Sequence, residues 1–274
     1  MQRRIQRYGW DLAAAEYEPL WQSQLAGAQS ALLALASPMP GERVLDVACG
    51  TGLGTLRAAA AVAPTGSAVG VDLSARMIDT ARSRASGLKA VKVGFERMDA
   101  EELALPDGQF DVALCALGLM YVPDPNKALR EMFRILRPGG RIAVSVWGER
   151  SRCAWSEVFR IVDAEVSSEV CPLFFRLGAH DALRQACSEA GFGSVRQNRL
   201  ATTLRYADGD EACKAAFVGG PVALAWSRFD DAARGRVSSR YLDAIAQWRR
   251  PDVGGFDLPG EFVIAAAEKI SADR

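Results

Sequence analysis

A glycine-rich segment carries the residues whose types and spacing best suit ligand chemistry. Residues 44–54 read Val-Leu-Asp-Val-Ala-Cys-Gly-Thr-Gly-Leu-Gly, so an apolar strand pattern ends in an acid, a loop of small residues follows, and a helical pattern begins. Glycines let a backbone approach a ligand closely, and the first turn of a helix offers free N–H groups and a positive dipole. Ordinary turns have the same composition, so the glycine-rich segment alone does not identify a ligand. The acidic residues around the loop indicate which ligand fits.

Two acids narrow the choice of ligand. Asp46 stands just before the loop, where a carboxylate would repel the pyrophosphate of a dinucleotide but would suit an ammonium group. Thr55 stands where the dinucleotide-binding spacing G-x-G-x-x-G requires its third glycine. Asp72 ends the next apolar run, about 20 residues beyond the loop, where such folds hold ribose hydroxyls. S-Adenosylmethionine has an ammonium group, a ribose and no phosphate, and these residues predict it as the ligand.

The surrounding pattern predicts an α/β fold that would position these acids. Short apolar runs alternate with helical stretches from residue 42 onward, which indicates a parallel, doubly wound sheet. The predicted strands are 44–47, 68–71, 90–95, 112–115 and 142–147, and the predicted helices are 53–62, 75–85 and 127–136. Ligands of open α/β sheets bind at the carboxyl ends of the strands, which is where Asp46 and Asp72 fall.

The two ends of the chain have less regular patterns. Residues 1–40 are predicted to be helical and amphipathic, with a turn at Ser-Pro-Met-Pro-Gly over 37–41. Residues 150–178 contain several aromatic residues and no clear strand pattern. The later predicted elements are a helix over 181–190, a strand over 194–206, helical pieces over 210–248 and a short strand over 261–267.

Five short motifs resemble, in their order, those of class I S-adenosylmethionine-dependent methyltransferases. They are Asp-x-Ala-Cys-Gly-Thr-Gly over 46–52, Val-Asp-Leu-Ser over 71–74, Asp-Ala-Glu over 99–101, Leu-Pro-Asp-Gly-x-Phe-Asp over 105–111 and Leu-Arg-Pro-Gly-Gly over 136–140. The nearest resemblance is to the ubiquinone/menaquinone-biosynthesis type, and it covers residues 40–148. It implies a Rossmann-like doubly wound sheet, mostly parallel with an antiparallel last strand, and helical lid insertions.

The resemblance also implies roles for the matching residues. Asp46 would reach the amino group of the methionine moiety, directly or through water. Asp72 would bind the ribose hydroxyls, and Asp99 would accept a hydrogen bond from the adenine N6 amine. The other expected cofactor contacts are Ala48, Gly50 and Gly52 in the loop, Leu73 and Met77 against the adenine, Ala100 beside it, and Cys115 at the end of the fourth strand.

The chain is predicted to have an N-terminal helical lid over 1–40, a cofactor-binding core over 41–148 and acceptor-side insertions that complete the sheet over 149–274. Trp10, Tyr17 and Trp21 stand at i, i+7 and i+11, which places them on one helix face if the helix continues through Pro19. Such a stripe indicates either core packing or a lid over the cofactor, with Tyr17 near its methionine end.

The acceptor is expected to lie beyond the fourth and fifth strands, in a pocket that would include Trp21, Leu117, Tyr121 and Trp147. Methyl transfer requires a base only if the acceptor must lose a proton. His180, the only histidine, is a candidate base, but it precedes a predicted helix, where a capping or surface role is common. No nucleophilic triad or metal-ligand spacing is present, so no catalytic residue and no metal are predicted.

Charge and cysteine content limit the class of protein. Lys plus Arg and Asp plus Glu both number 33, and a balanced chain is a poor candidate for binding nucleic acid or an anionic membrane surface. No apolar run suits a membrane span or a secretory signal, and the six scattered cysteines are expected to be free thiols. The sequence therefore predicts a cytoplasmic methyltransferase with a small, lipophilic or aromatic acceptor.

Two alternatives remain open at this stage. The chain could bind S-adenosylmethionine for other chemistry, as a cyclase, a decarboxylase or a regulator, because a fold does not fix a reaction. It could also methylate nucleic acid, although the sequence after the fourth strand is Cys-Ala-Leu-Gly over 115–118 rather than the Asn/Asp-Pro-Pro-Tyr that grips a flipped base. The acceptor atom and the oligomeric state are not predicted.

Overall fold

The fold centres on a sheet of seven strands in a computed structural model that describes residues 2–88, 92–166, 174–251 and 254–270. The strands are β1 (Arg43–Val47), β2 (Ser67–Asp72), β3 (Val93–Arg97), β4 (Phe110–Ala116), β5 (Leu136–Trp147), β6 (Gly193–Tyr206) and β7 (Phe256–Glu268). Their order is β3-β2-β1-β4-β5-β7-β6. The first five strands pair in parallel, and β7 runs antiparallel to both β5 and β6. The predicted doubly wound sheet with an antiparallel last strand is confirmed.

Nine helices are assigned within the described residues. They are α1 (Gln2–Ala36), α2 (Leu53–Val62), α3 (Ala75–Ala85), α4 (Pro125–Ile135), α5 (Glu157–Asp163), α6 (Ala182–Glu189), α7 (Gly209–Phe217), α8 (Ala223–Trp226) and α9 (Asp231–Ile245). Local chemistry begins several of them. Ser74 accepts a hydrogen bond from the Met77 N–H at the start of α3, and Asp124 accepts one from the Lys127 N–H at the start of α4.

Most predicted bounds agree with the structure within about two residues, and three strands differ, of which β7 begins at Phe256 rather than at the predicted 261. Residues 90 and 91 of the predicted strand 90–95 lie outside the described residues, and β3 begins at Val93. β5 begins at Leu136, before the predicted start at 142. The reason is a contact distant in sequence: Gly139 adopts a φ of 74°, and its N–H donates to the carbonyl of Lys269. This pairing keeps the Pro-Gly-Gly segment attached to the sheet.

The long helix α1 continues through Pro19 without a break. A proline inside a helix removes one backbone hydrogen bond and clashes with the preceding turn, which usually costs about 3 kcal/mol. Here the residues after the proline are held by packing, because Leu20, Trp21 and Leu25 are all buried in the core. Tertiary packing therefore offsets the local preference, and Trp10 and Trp21 share one helix.

The C-terminal half of α1 is fixed to the sheet by bonds to backbone groups. The Gln24 side chain donates to the carbonyl of Arg205 and accepts from its N–H, much as a neighbouring strand would. The Arg141 guanidinium donates to the carbonyls of Ala36 and Ser37, which end the helix. These contacts place the end of α1 against β5 and β6.

The N-terminal half of α1 is held mainly by charged groups. Three of its side chains contact the ends of β2 and β3 or helix α3: Arg3 with Asp99 and Glu101, Asp11 with Ser74, and Glu18 with Arg84. The Asp11 bond is notable because Ser74, which donates to it at 2.6 Å, also caps α3. These three contacts connect α1 to the residues that follow β2 and β3 and to helix α3.

No helix in the described part of the chain is long and apolar enough to span a membrane. The cysteines that the structure describes are free thiols: Cys49, Cys115, Cys153, Cys187 and Cys213. Cys171 lies outside the described residues. Among the described residues, no group of three or more His, Cys, Asp or Glu side chains is placed to hold a metal ion.

Candidate active site

A cavity lies at the carboxyl ends of the parallel strands, against the inner face of α1. One wall consists of residues at or after the strand ends: Ala48, Gly50, Asp72, Leu73, Met98, Asp99, Ala100, Ala116, Leu117 and Trp147. A second wall comes from α1: Arg3, Gln6, Trp10, Tyr17, Trp21 and Leu25. Parallel strands end at one edge of a sheet, so segments far apart in sequence meet here, as the predicted site required.

Asp72 ties the end of β2 to the glycine loop. Its Oδ2 accepts a hydrogen bond from the Gly50 N–H at 2.9 Å, and its Oδ1 accepts one from the Ser74 N–H at 2.8 Å. Burial raises the pKa of Asp72 above its ordinary value, although the two N–H donors act in the opposite direction. Each carboxylate oxygen has a further lone pair, so Asp72 can still accept hydrogen bonds from a ligand in the cavity.

Asp46 is buried behind the loop and is only 1% exposed. Its Oδ2 accepts a hydrogen bond from the Thr55 hydroxyl at 2.6 Å, while its Oδ1 has no partner among the described residues. Burial, together with the nearby Asp72 carboxylate, raises the pKa of Asp46 to about 7 against the opposing effect of the hydrogen bonds from Thr55. An unpartnered buried carboxylate oxygen is unfavourable, and an ammonium group would relieve it.

The loop after Asp46 combines a half-buried glycine in the cavity wall with a packed, buried glycine. Ala48, Gly50 and Gly52 have φ values of 56°, 55° and 84°, in the left-handed region that favours glycine. A Cβ on Gly50 would meet no atom within 4 Å, consistent with its place in the cavity wall. A Cβ on Gly52 would lie 2.8 Å from the ring of Phe95, so Gly52 permits close packing beneath the loop. It is not in the cavity wall.

The end of the cavity near β3 is acidic and partly neutralised by α1. Asp99 accepts the Glu101 N–H at 2.9 Å through Oδ1, and its Oδ2 lies 3.2 Å from Arg3 Nε. Arg3 also pairs with the buried Glu101 carboxylate, whose other oxygen accepts the Asp124 N–H. Apolar side chains line the cavity beside these groups: Leu73, Met77, Met98 and Ala100. Sequence reasoning missed Arg3, although its helical phase with Trp10 was a usable signal.

The opposite part of the cavity wall is aromatic. Trp21 lies 6.1 Å from Trp147 and 6.0 Å from Trp155, measured between ring centroids, and Trp147 lies 4.9 Å from Trp155. The indole N–H groups of Trp21 and Trp155 are buried without a hydrogen-bond partner among the described residues. Trp155 was not predicted as a pocket residue, although it lies in the aromatic-rich segment after β5.

The aromatic stripe of α1 continues into this wall. Trp10 packs edge-to-face against Tyr17 at 5.7 Å and against Tyr121 at 4.9 Å. Tyr17, Trp21, Leu117, Tyr121 and Trp147 all lie in the wall, so the structure brings together every residue predicted for the acceptor side. Gly219, Gly220 and Pro221, which interrupt the predicted helical pieces over 210–248, also contribute to the wall, a place that the sequence did not suggest.

Asp46, Gly52 and Cys115, although predicted as cofactor contacts, lie outside the cavity wall. Cys115 is 1% exposed in the core, and burial raises its pKa to about 12. The reason is that β4 continues to Ala116, so Ala116 and Leu117 form the wall instead. His180 is also remote from the wall: its side chain is 92% exposed, and its Nδ1 lies 3.7 Å from Glu149.

The charged side chains of the cavity are grouped at one end, and the aromatic surface begins beside them at Tyr17. The charged side chains among the described wall residues are Arg3, Asp72 and Asp99, which come from the start of α1 and the strand ends β2 and β3. The remainder of the wall is uncharged and rich in tryptophan and tyrosine. One cavity can therefore hold a polar nucleoside at one end and an apolar molecule at the other.

Comparison with known proteins is consistent with this geometry. Residues 44–140 match a family model described as a methyltransferase domain. The chain is 45% identical over 112 residues to the ubiquinone/menaquinone biosynthesis C-methyltransferase UbiE of Ectopseudomonas mendocina, covering 40% of this chain and 43% of that relative. It is 31% identical over 170 residues to the demethylmenaquinone methyltransferase of Staphylococcus aureus, covering 57% of this chain and 70% of that enzyme. The chain belongs to the class I S-adenosylmethionine-dependent methyltransferases.

The fold of this methyltransferase is shared with solved structures. The YcgJ protein of Bacillus subtilis superimposes with a TM-score of 0.63 at 18% identity, over 90% of this chain and all of that one. The match to the methyltransferase domain ends at residue 140, so Trp155 and the Gly219–Pro221 turn lie outside it. The residues present fit the cofactor of the family, because Asp46 offers an unpartnered oxygen and Asp72 keeps lone pairs toward the cavity.

Proposed function

We propose that this methyltransferase transfers the methyl group of S-adenosylmethionine to a small, lipophilic or aromatic acceptor by in-line displacement. The carrying observation is one cavity whose charged end holds Asp72 and Asp99 and whose other walls are uncharged and aromatic. The printed names of both enzyme relatives refer to quinone biosynthesis, which supports an acceptor of quinone-like character for this chain as well.

Each of the proposed cofactor residues contacts a different part of the bound S-adenosylmethionine. In this proposal Asp72 accepts hydrogen bonds from the ribose hydroxyls, and Asp46 holds the ammonium group through its free oxygen, directly or through water. Asp99 accepts from the adenine amine. Leu73 and Met77 pack against the ring, as their places in the wall support.

The aromatic wall contributes alignment and exclusion of water. S-Adenosylmethionine supplies a methyl group activated by a positive sulfur. Aromatic faces attract cations, and holding the reacting groups in line can supply up to about 7–11 kcal/mol of barrier lowering. Tyr17 stays neutral, because burial raises its pKa further above the physiological range and Asp72 adds to that effect. The described walls near the tryptophans hold no charged base, which favours an acceptor that does not need one.

Two further features support a small molecule and a reducing compartment. The zero net charge disfavours nucleic acid as the acceptor. The described cysteines are all free thiols, which supports the cytoplasm as the site of action.

Transfer of a labelled methyl group tests the proposal directly. The purified protein would be incubated with S-adenosylmethionine carrying an isotopic methyl label and with an extract of the source cells, and small molecules, RNA and protein would be separated by mass spectrometry. The Asp72→Ala protein serves as the control. Label in one lipophilic metabolite is the expected result. Label in RNA or protein would overturn the acceptor class, and no label despite cofactor binding would favour non-methylating chemistry.

A further inference from the structure

Gln6 is a buried polar side chain in the cavity wall. None of the proposed cofactor contacts involves it. It is 7% exposed and lies on the inner face of α1. No hydrogen bond joins its amide to any residue that the structure describes. Buried polar groups in proteins are nearly always hydrogen-bonded, so an unpaired amide in a cavity wall points to a ligand.

The position of Gln6 on α1 places it near the adenine end. Arg3 stands three residues earlier, and its Nε lies 3.2 Å from Asp99 Oδ2. Residues three apart are neighbours on a helix surface, and helical side chains lean toward the N-terminus. The Gln6 amide therefore leans toward Arg3 and Asp99. Trp10, one turn later, contacts the Tyr121 ring at 4.9 Å, so Gln6 stands on α1 between the residue that pairs with Asp99 and the residue that contacts Tyr121.

An amide is chemically matched to the edge of an adenine. The exocyclic N6 amine carries two hydrogens beside ring nitrogens that accept hydrogen bonds. A glutamine offers one acceptor and two donors, and it pairs in bidentate fashion with adenine in DNA recognition. The Asp99 carboxylate can only accept, so it can take one N6 hydrogen and leave the other for an amide oxygen.

We propose that Gln6 recognises the adenine of the cofactor, accepting from N6 and donating to N7, so that the lid helix takes part in base selection. The inference rests on the proposed function, because it requires an adenosine-containing cofactor. It predicts that the lid discriminates against a purine in which a carbonyl oxygen replaces the exocyclic amine.

Calorimetric titration with two ligands tests the role of Gln6. S-Adenosylhomocysteine and S-inosylhomocysteine would be titrated into the wild type, Gln6→Leu and Gln22→Leu proteins. Gln22 is exposed on the same helix and absent from the cavity wall, so its variant is the matched control. We expect Gln6→Leu to bind S-adenosylhomocysteine about tenfold more weakly than the wild type does. Its affinity for S-inosylhomocysteine should change much less, so its preference for the adenosine ligand should fall by most of that tenfold factor. Gln22→Leu should match the wild type.

Three results would overturn the inference in different ways. Unchanged affinity of Gln6→Leu for S-adenosylhomocysteine would show that the amide makes no useful contact. An equal loss for both ligands would show that Gln6 only packs α1 in place. A wild type that binds neither ligand would overturn the proposed function together with the inference, and this outcome is recognised from the wild-type titration alone.

Discussion

The Asp72 carboxylate accepts the Gly50 N–H at 2.9 Å, so the end of β2 holds the loop that follows β1 in place. Replacing Asp72 with alanine removes this bond, the bond from Ser74 and the proposed ribose contacts together. We expect Asp72→Ala to bind S-adenosylhomocysteine about 100-fold more weakly in calorimetric titration, since hydrogen bonds to a charged group are each worth about 1.5–3 kcal/mol. Asp79→Ala, on the exposed face of α3, is the control. Wild-type affinity in Asp72→Ala would remove Asp72 from the site.

Cofactor affinity should depend on pH through Asp46. Burial raises the pKa of Asp46 to about 7, so the carboxyl becomes neutral as the pH falls through that value. A ligand ammonium favours the ionised form, so binding below pH 7 must release a proton, and affinity should fall by up to about tenfold per pH unit. Titration at pH 6 in two buffers of different ionisation enthalpy measures the released protons. Asp46→Asn should bind weakly, with no such release.

Asp46 should also make the stability of the ligand-free protein depend on pH, but with the opposite sign. Affinity for the cofactor should rise with pH, whereas the stability from this group should fall. The pKa of Asp46 is higher in the folded protein, at about 7, than its ordinary value of 3.8. The folded state therefore binds the proton more tightly, and the stability from this group is present at low pH and lost as the pH rises toward 7. We expect Asp46→Asn to raise the free energy of unfolding at pH 8 in urea denaturation. Lower stability than wild type would contradict the burial penalty.

Gly52 should be required for stability rather than for ligand contact. A Cβ at this position would lie 2.8 Å from the Phe95 ring, and the φ of 84° is unfavourable for alanine. We expect Gly52→Ala to lower the free energy of unfolding by about 1–3 kcal/mol in urea denaturation. Gly27→Ala, in the interior of α1 with open space around it, should raise it by about 0.5–1 kcal/mol.

A double variant separates packing from backbone strain at Gly52. Phe95→Leu removes the ring that the new methyl group would meet, so Gly52→Ala should cost less in that background than in the wild type. Strict additivity of the two substitutions would mean that the left-handed backbone accounts for the whole effect.

His180 should be dispensable for methyl transfer. Its side chain is 92% exposed and does not line the cavity in which we propose that the acceptor binds, so we expect it not to remove a proton from the acceptor. With the acceptor identified by labelling, we expect kcat for His180→Ala to stay within about twofold of wild type, with an unchanged pH profile. If His180→Ala lost one limb of the pH profile of kcat, His180 would be assigned the role of a general base.

Local chemistry made the central part of the fold predictable. The bounds of α2 and α3 agree with the predicted helices 53–62 and 75–85, because glycines, a serine cap and an uninterrupted helical pattern mark them. The acids Asp46 and Asp72 were placed at one sheet edge because each stands at the end of an apolar strand or one residue before it. The motif did not distinguish residues in the cavity wall from those outside it, and Asp46, Gly52 and Cys115 lie outside it.

Features that depend on tertiary contacts could not be predicted from local sequence. Pro19 argues against a continuous helix, and only the burial of Leu20 and Trp21 explains why α1 persists. Gln6 and Arg3 line the cavity because α1 docks across the strand ends, and no local pattern contains that docking. The place of Trp155 in the cavity wall was also not predictable, because this residue lies outside residues 44–140, which match the methyltransferase domain.

The two halves of α1 are held by different forces, and this difference makes ionic strength a control on cofactor exchange. Gln24 and Arg141 hold the C-terminal half through hydrogen bonds to backbone groups, whereas Arg3 and Glu18 hold the N-terminal half through partly exposed ion pairs. Salt at about 1 M shortens the screening length to about 3 Å and weakens the second kind selectively. The N-terminal half covers the end of the cavity where we propose that the adenine binds, so added salt should accelerate nucleoside release while leaving the melting temperature of the chain nearly unchanged.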